Sequence, residues 1–309
     1  MYWEYFGLKS NPFGITPDPK FLFLSTPHSS AIEWMRMAIE QHEFGMITGE
    51  VGSGKTVISR YLVDSLSEMN YKIAWIVNPT FSPTQLLGEI YYQLFEEKPP
   101  HSKSSIVKAL QEGLVKYYLE NKYPVVIIDE AQAIPSTKAF EELRLLSNYQ
   151  TDDQNLLSII LIGQPELSKK LKRKTYRAFL QRLRFTIILE PLTLDEIGDY
   201  LQHRLKIGGL ENGQIFTKEA IRLLHEITKG YPRPVNHLAA FSMMDAMSCE
   251  KIIVEPENVR SAASSILYFQ DQLEEKSLKK SEPENAEEIT AEENVLNMNK
   301  VENHSENRS

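Results

Sequence analysis

The sequence has little of what secreted or membrane-spanning chains carry. It contains one cysteine, Cys249, which excludes an internal disulfide and a cysteine-rich metal site. Its longest apolar run, "LLSIILIG", is far shorter than the roughly 18 residues that a membrane helix needs. The amino terminus has no basic segment followed by an apolar core, so it does not resemble a secretory signal. We therefore predict a cytoplasmic protein with no membrane segment of its own.

The carboxyl-terminal segment, residues 271–309, lacks aromatic residues and a sustained apolar period. From Glu274 onward it carries 10 of the 42 acidic and 5 of the 34 basic residues of the chain. Such a segment cannot bury enough apolar surface to offset its ordering entropy, so we predict a disordered acidic tail. An alternative for "ENVLNMNKV" is a short helix that orders on a partner. The body is nearly neutral by comparison, and its charge does not argue against an anionic ligand.

The body alternates apolar strand-like segments with helical ones. The strand-like segments are "FGMIT", "YKIAWIV", "VVIID", "LLSIILIG" and "FTIIL". Strands that are apolar on both sides, with helices between them, predict a parallel sheet covered by helices on both faces. After Pro191 only helical periods remain, and the first of them opens with a T-x-x-E capping box at Thr193. We predict an α/β domain over residues 1–190, a small all-helical domain over 191–270 and a tail over 271–309.

A glycine-rich loop lies between the first predicted strand and a helix. "GEVGSGKT" matches the phosphate-binding pattern G-x-x-x-x-G-K-[ST]. The glycines allow backbone N–H groups to converge on a phosphate, and the helix start adds its positive dipole end. We expect Lys55 to reach the β- and γ-phosphates of a nucleotide and the Thr56 hydroxyl to coordinate Mg²⁺. The predicted phosphate-binding residues are Gly49, Glu50, Val51, Gly52, Ser53, Gly54, Lys55 and Thr56.

Two acidic residues end the apolar run of "YPVVIIDEAQ". The run predicts a central strand that ends at Asp129. In proteins with this kind of loop, an acidic residue at such a strand end holds Mg²⁺, and we assign that role to Asp129. The carboxylate of Glu130 is then the candidate base that polarises the attacking water.

A polar residue also follows "LLSIILIG". Gln164 stands where that predicted strand ends, and we expect it beside the loop after Asp129 and Glu130. There it would orient the water or contact the γ-phosphate. The alternative is a loop amide without a catalytic role.

The segment "SKKLKRKTYRAFLQRLRF" holds eight basic residues, and no acidic residue occurs from Leu167 to Leu189. Three interpretations stay open. The segment is a solvated basic helix face, a nucleic-acid surface, or the source of an arginine that reaches the ATP of a neighbouring subunit. For the third, Arg182 lies just before the last predicted strand.

An arginine also opens the helix in "GYPRPVNHL". Arg233 lies at the predicted helix start, beside the positive end of the helix dipole. That placement is unfavourable for a cation unless an anion is near, and the phosphate of ATP is the candidate. The alternative is an ordinary surface arginine.

Taken in order, these motifs resemble an AAA+ ATPase with a helical lid. More narrowly, the amino-terminal "YFGLKSNPFGITPDPKFLFLSTPHSSAIEWM" is similar to the start of the ExeA-like ATPases of the general secretion pathway. Their P-D-P-[KR]-[FY] segment stands here at residues 17–21, and their S-x-x-H at residues 25–28. "ELRLLSNYQ" and "IILIGQPEL" also look like that family, and the resemblance covers roughly residues 1–269.

The resemblance implies a role for each motif. Residues 49–56 would be Walker A, and residues 129–130 would be Walker B. Gln164 would lie at sensor 1 and Arg233 at sensor 2, and residues 13–23 would pack near the adenine. The trans-acting arginine finger would be Arg182, with Arg177 and Arg184 as alternatives.

The resemblance also implies a function. We expect a Mg²⁺-dependent ATPase that forms a homo-oligomer through its nucleotide site and couples ATP to conformational work or assembly. Its process would be secretion or envelope assembly with a protein partner. Longer family members continue through a membrane helix into a periplasmic part, where this sequence has its acidic tail. Two alternatives are a DNA-associated switch of the transposition-regulator type and a STAND-like signalling switch, although the usual sensor repeats of the latter are absent.

Overall fold

The computed structural model describes residues 1–14, 19–67, 70–152, 154–266 and 269. Five strands and twelve α-helices lie in these ranges. The strands are β1 (Phe44–Thr48), β2 (Tyr71–Ile76), β3 (Tyr123–Ile128), β4 (Ser158–Gly163) and β5 (Leu183–Ile188). The helices are α1 (Tyr2–Tyr5), α2 (Thr26–Glu40), α3 (Lys55–Ser67), α4 (Pro83–Phe95), α5 (Lys103–Leu119), α6 (Thr137–Leu146), α7 (Pro165–Leu171), α8 (Arg177–Leu180), α9 (Leu194–Ile207), α10 (Lys218–Thr228), α11 (Pro232–Ser248) and α12 (Pro256–Ser265).

All five strands form one parallel sheet, in the order β2-β3-β4-β1-β5. Strand β4 therefore lies between β1 and β3, although it follows both of them in the chain. Parallel strands end at a common edge of their sheet, which is where ligands bind in open α/β sheets. The loops that follow β1, β3 and β4 consequently meet side by side.

Helices cover both faces of the sheet, as the strand pattern predicts. Along β3, Val126 and Ile128 belong to the apolar cluster that includes buried residues of α4 to α8. Val125 and Ile127 point to the opposite face and belong to the cluster with α2 and α3. The period of two in β3 thus divides its apolar residues between two cores, which is why the strand is apolar throughout.

Helices α4 and α9 both begin with a capping box, and the one at α9 is predicted from the T-x-x-E at Thr193. At α4, the N–H of Gln85 donates to the hydroxyl oxygen of Ser82, and the Ser82 N–H donates to the side-chain oxygen of Gln85. At α9, Thr193 and Glu196 make the same reciprocal pair. Each box satisfies two N–H groups that a helix leaves without an internal partner.

The basic segment after β4 is not one continuous helix, as its interpretation as a solvated helix face would require. It comprises α7, a 3₁₀ turn at Lys174–Tyr176, α8 and the first residues of β5. The buried residues explain the break, because Leu171 and Tyr176 are five positions apart, whereas a helix face repeats every three or four. Tyr176 packs edge-on against Phe140 at a centroid distance of 5.2 Å. This contact requires the chain to turn between Leu171 and Tyr176.

Beyond β5 the described chain is helical, from α9 to α12, apart from a bridge between Phe216 and Val254. The whole chain divides into two compact units, Met1–Val259 and Arg260–Ser309, and the sheet lies in the first. The boundaries at residues 190 and 270 stay predictions. The predicted disorder of the tail concerns residues 271–309, which lie outside the described ranges. Among the described residues, no helix has both the length and the apolar character needed to span a bilayer.

Candidate nucleotide-binding site

The glycine-rich loop follows β1 and leads directly into α3. Gly52 and Gly54 have φ angles of +83° and +98°, in the left-handed region that favours glycine. A Cβ at Gly54 would also lie 2.7 Å from Nε2 of His28, too close for any side chain. The loop therefore turns back to start α3 at Lys55, as the motif predicts.

The ammonium group of Lys55 is buried without a carboxylate partner. The residue is only 6% exposed, and its Nζ donates to the carbonyl oxygens of Gly49 and Glu50 at 2.7 and 2.8 Å. It takes part in none of the ion pairs within 4.0 Å found among the described residues. Burial lowers the pKa of Lys55, against the opposing charges of Glu130 and Asp129. A buried cation of this kind fits an anionic ligand.

Asp129 lies where β3 ends and is almost completely buried, with 2% of its surface exposed. Its two carboxylate oxygens accept hydrogen bonds from the Ser59 hydroxyl at 3.2 Å and from the Glu130 N–H at 2.9 Å. Burial nevertheless raises the pKa of Asp129, because the two bonds and the charge of Lys55 only partly offset the desolvation of the carboxylate. The site thus holds a carboxylate and an ammonium whose charged forms are both penalised by burial.

The donor set fits the ATP and Mg²⁺ that the sequence predicts. Thr56 is half-buried in the first turn of α3, and Ser59 of the same helix contacts Asp129. The described part of the chain holds no group of three or more His, Cys, Asp and Glu residues that could bind a metal alone. Mg²⁺ in nucleotide sites is usually held by one or two protein oxygens together with phosphate oxygens and water, which Thr56 and Asp129 would match. The buried hydroxyl of Ser53, which has no partner in the described structure, adds a polar atom in the loop.

The carboxylate of Glu130 is held by two glutamine side chains. One oxygen, Oε2, accepts a hydrogen bond from Nε2 of Gln164 at 3.1 Å and a short one from Nε2 of Gln132. Gln132 in turn accepts the backbone N–H of Gln164 through its Oε1 at 3.0 Å. The insertion of β4 between β1 and β3 explains this contact, because it places Gln164 beside the loop that carries Glu130, as the sequence predicts.

Helix α11 begins directly on the glycine-rich loop. The N–H of Arg233 donates to the carbonyl oxygen of Gly52 at 3.1 Å. A Cβ at Gly52 would lie 2.8 Å from the Cβ of Arg233 and 3.1 Å from Pro234, so only glycine permits this approach. The structure therefore brings the main chain of Arg233 to the loop, while the side chain is exposed. Its role as sensor 2 stays a prediction.

Gly230 fixes the chain just before α11. Its φ is +79°, and a Cβ there would lie 2.1 Å from the carbonyl oxygen of Leu192. The N–H of Leu192 donates to the carbonyl oxygen of Gly230 at 2.9 Å. This close approach joins the segment that follows β5 to the residue before α11.

Arg182 lies at the opposite edge of the sheet from the loops described above. It stands in the two-residue connection between α8 and β5, is exposed, and donates to the Asn148 side chain at 3.3 Å. The other end of β5 pairs with Thr48, directly before the glycine-rich loop. Six strand residues separate these ends by roughly 17–20 Å. Arg182 is thus too far away to serve the site of its own chain, and a role as finger in a neighbouring site stays a prediction.

The sequence interpretation missed three residues that contact the site, namely Gln132, Ser59 and His28. His28 is 4% exposed, accepts the Ser25 hydroxyl at Nδ1 (2.6 Å) and donates from Nε2 to the carbonyl oxygen of Ser53 (3.0 Å). This assignment of donors follows because a carbonyl can only accept. The S-x-x-H segment and the glutamine of "DEAQ" were visible in the sequence, but only the fold shows what they contact.

The expected adenine-side segment, residues 13–23, is described only in part, because residues 15–18 lie outside the described ranges. Phe13 is buried, with its ring 6.1 Å from that of Phe216. Phe23 lies 5.8 Å from the ring of Tyr200 on α9. The segment therefore packs on the helical part that follows β5, and its contact with adenine stays a prediction.

Comparisons with known proteins agree with this geometry. A family model described as AAA domain matches residues 38–171. General secretion pathway protein A of Aeromonas hydrophila is 35% identical over 254 residues, which covers 80% of this chain and 45% of that protein. This chain therefore spans less than half the length of that relative.

Two solved structures show the same fold. The ORC2 protein of Aeropyrum pernix has a TM-score of 0.60 at 20% identity, over 83% of this chain and 72% of that chain. Cdc6p of Pyrobaculum aerophilum has a TM-score of 0.61 at 19% identity, over 82% of this chain and 72% of that chain. At these identities the likeness concerns the fold alone.

The parallel sheet, its glycine-rich loop and the AAA domain define the class: the chain carries an AAA domain and has the fold of P-loop AAA+ proteins. Within that class it resembles the ExeA-like proteins, which are represented here by general secretion pathway protein A of Aeromonas hydrophila.

Proposed function

We propose that this protein binds and hydrolyses ATP with Mg²⁺. One observation carries the proposal, namely the buried ammonium of Lys55 in the glycine-rich loop. This ammonium has no ion-pair partner in the described structure, but it is close enough to Asp129 and Glu130 for their charges to influence its pKa. Binding an anion and a cation together would relieve both burial penalties, because each ligand charge is opposite to that of the residue it meets. A nucleotide triphosphate with Mg²⁺ supplies both.

For binding, the N–H groups of residues 49–56 and the start of α3 attract phosphate oxygens. The Lys55 ammonium releases its hydrogen bonds to the two loop carbonyl oxygens and donates to the β- and γ-phosphates instead. The Thr56 hydroxyl and the Asp129 carboxylate would hold Mg²⁺, which would supply positive charge to neutralise the phosphates. Arg233 then adds a positive charge from the exposed start of α11.

For hydrolysis, Glu130 accepts the proton of the attacking water through Oε1, the oxygen that neither glutamine contacts. Gln164 donates toward the water or the γ-phosphate. Lys55 balances the charge that develops on the phosphate oxygens as the bond to the leaving group breaks. In an oligomer, Arg182 of a neighbouring subunit would add the last positive charge.

Two variants test this function. In Lys55→Ala, ATP affinity should fall by 10-fold or more while the fold is retained. A tenfold loss corresponds to about 1.4 kcal/mol of binding free energy, and a charge-assisted bond contributes at least that much. In Glu130→Gln, ATP should still bind while turnover falls by about 10²-fold or more. Lys116→Ala, on the exposed side of α5, is the matched control for a lost lysine. Near wild-type ATP affinity in Lys55→Ala would contradict the proposal.

We further propose that ATP drives rearrangement of a helical lid, residues 191–270, against the α/β domain, residues 1–190, in a homo-oligomer joined at the nucleotide site. The contact between Gly52 and the start of α11 supports this coupling, because any movement of α11 acts on the loop. The curated relative is named for the general secretion pathway, which favours secretion or envelope assembly as the process. A cytoplasmic location is part of the proposal, because the cytoplasm supplies ATP.

A DNA-associated switch is the second candidate, and the exposed basic residues favour it. Lys169, Lys172, Arg173, Lys174, Arg177 and Arg182 are all exposed. Lys170 is not part of that surface, because its ammonium donates to the Gln132 carbonyl oxygen at 3.2 Å. Retention of duplex DNA that weakens steeply with added salt would support this candidate, since phosphate contacts release counterions. Retention that does not depend on salt would count against it.

A further inference from the structure

We propose that Gln132 is a positioning residue that sets the orientation of the Glu130 carboxylate. The inference rests on the proposed hydrolysis, for which Glu130 is the base. It concerns a residue that neither the loop pattern nor the strand ends single out.

The orientation of the Gln132 amide is fixed by its partners. A backbone N–H can only donate, so the atom that faces the N–H of Gln164 is Oε1. The amide nitrogen then necessarily faces Oε2 of Glu130. The side chain of Gln132 thus joins the backbone after β4 to the carboxylate after β3 through two hydrogen bonds.

The space for this amide exists because residue 163 is glycine. A Cβ at Gly163 would lie 2.7 Å from Oε1 of Gln132 and 2.9 Å from Cδ2 of Leu167. The carbonyl oxygen of Gln132 also accepts a bond from the Lys170 ammonium, so α7 holds the main chain of the same residue. Gln132 is consequently fixed from both sides rather than free to turn.

The chemical consequence lies in the two oxygens of Glu130. Two N–H donors occupy Oε2, which leaves Oε1 to accept a proton. The amide of Gln132 therefore holds the carboxylate in one orientation, which general-base catalysis by Oε1 requires. If Gln164 turns toward a phosphate, Gln132 becomes the side chain that still holds the carboxylate in place.

Two isosteric variants separate the two bonds that Gln132 makes. Gln132→Glu keeps an oxygen for the Gln164 N–H but removes the donor to Glu130. Gln132→Met has a similar length and removes both bonds. Gln111→Glu, exposed in the middle of α5, is the control for an added charge.

The first readout uses the nucleotide-free protein. Crystal structures of the wild type, of both variants and of Gln111→Glu show the orientation of the Glu130 carboxylate. We expect the carboxylate to leave its wild-type orientation in both variants and to keep it in Gln111→Glu. An unchanged orientation of Glu130 in both variants would overturn the proposal.

The second readout is turnover. We expect kcat to fall by about 10- to 100-fold in both variants, with ATP affinity within about twofold of the wild type, because the base is misplaced and the phosphate site is intact. Normal turnover in Gln132→Glu together with loss in Gln132→Met would mean that Gln132 only anchors Gln164, and the proposal would be wrong. A wild-type protein that fails to bind ATP would defeat the proposed function, while the nucleotide-free structures would still decide whether Gln132 positions Glu130.

Discussion

The two edges of the sheet differ in how their charged residues are held. At the edge where β1, β3 and β4 end, Lys55 and Asp129 are buried and bonded, and Glu130 is fixed by two amides. At the opposite edge, Arg182 is exposed and makes a side-chain bond of 3.3 Å. The first arrangement holds its charged groups in fixed positions by contacts within one chain. The second leaves a guanidinium available to whatever approaches the surface.

The largest expected effect concerns the exposed edge. Arg182→Ala should leave thermal stability within about 0.5 kcal/mol, because the side chain has little packing to lose. If Arg182 completes a neighbouring site, turnover should fall by about 10³-fold, the lower end of what a trans arginine contributes in GTPases. Melting curves and steady-state turnover measure both quantities.

Mixing sharpens that prediction. Arg182→Ala and Glu130→Gln should each be nearly inactive, but a mixed assembly contains interfaces with an intact base on one side and an intact arginine on the other. Activity should therefore return in part on mixing. Absence of recovery, despite demonstrated co-assembly, would remove Arg182 from this role and direct the test to Arg177 and Arg184.

The next effect concerns the buried edge and has opposite signs for stability and function. The raised pKa of Asp129 means that its ionised form is penalised in the folded protein, and this penalty applies at pH values above that pKa. Asp129→Asn removes the charge and can keep both hydrogen bonds, so it should stabilise the nucleotide-free protein by about 1 kcal/mol at neutral pH. The gain should vanish toward about pH 4, where the wild-type carboxyl is itself protonated.

ATP binding with Mg²⁺ should weaken in the same variant, because Asp129→Asn loses the negative charge that attracts Mg²⁺. Calorimetry of the nucleotide-free protein and the Mg²⁺ dependence of ATP binding test the two halves. Asp64→Asn, on α3, is a control for a lost carboxylate outside the site. A destabilised Asp129→Asn protein would show that burial is not the dominant influence on this residue.

The smallest expected effect concerns His28, which holds the glycine-rich loop from the amino-terminal segment. Burial lowers the pKa of His28, so the folded protein resists its protonation. This contribution to stability is complete above the ordinary histidine pKa of about 6.5 and is lost as the pH falls through that value toward the folded pKa. His28→Gln keeps a donor for Ser53 but cannot be charged. Its melting temperature should therefore drop less than that of the wild type between about pH 7.5 and 5.5.

The exposed His101 supplies the matched control for that measurement, as His101→Gln. An identical pH dependence in His28→Gln and the wild type would show that the buried imidazole does not limit stability in acid.

Local patterns predicted the parts of the site that depend on local chemistry. The glycine spacing predicted the loop, the apolar run predicted the strand that ends at Asp129, and the T-x-x-E pattern at Thr193 predicted a helix start. The contacts of Gln132 and His28 were out of reach for a different reason. They join segments 32 and 25 residues apart, and only the insertion of β4 or the packing of α2 brings those segments together.

The basic segment shows the converse failure. One of its three interpretations was a solvated helix face, but the spacing of Leu171 and Tyr176 requires a break, because burial of the ring outweighs local propensity. One of its eight basic residues, Lys170, turns inward to the loop that carries Gln132.

The bond between the Arg233 N–H and the Gly52 carbonyl joins α11 to the loop through main-chain atoms alone. No side chain at position 233 is needed to make it, so the identity of that side chain can change over evolution without undocking the helix. The amide hydrogen of Arg233 is also a built-in reporter. Its exchange with deuterated solvent measures how often the start of α11 leaves the loop, and a ligand that tightens the docking would slow that exchange without altering any sequence.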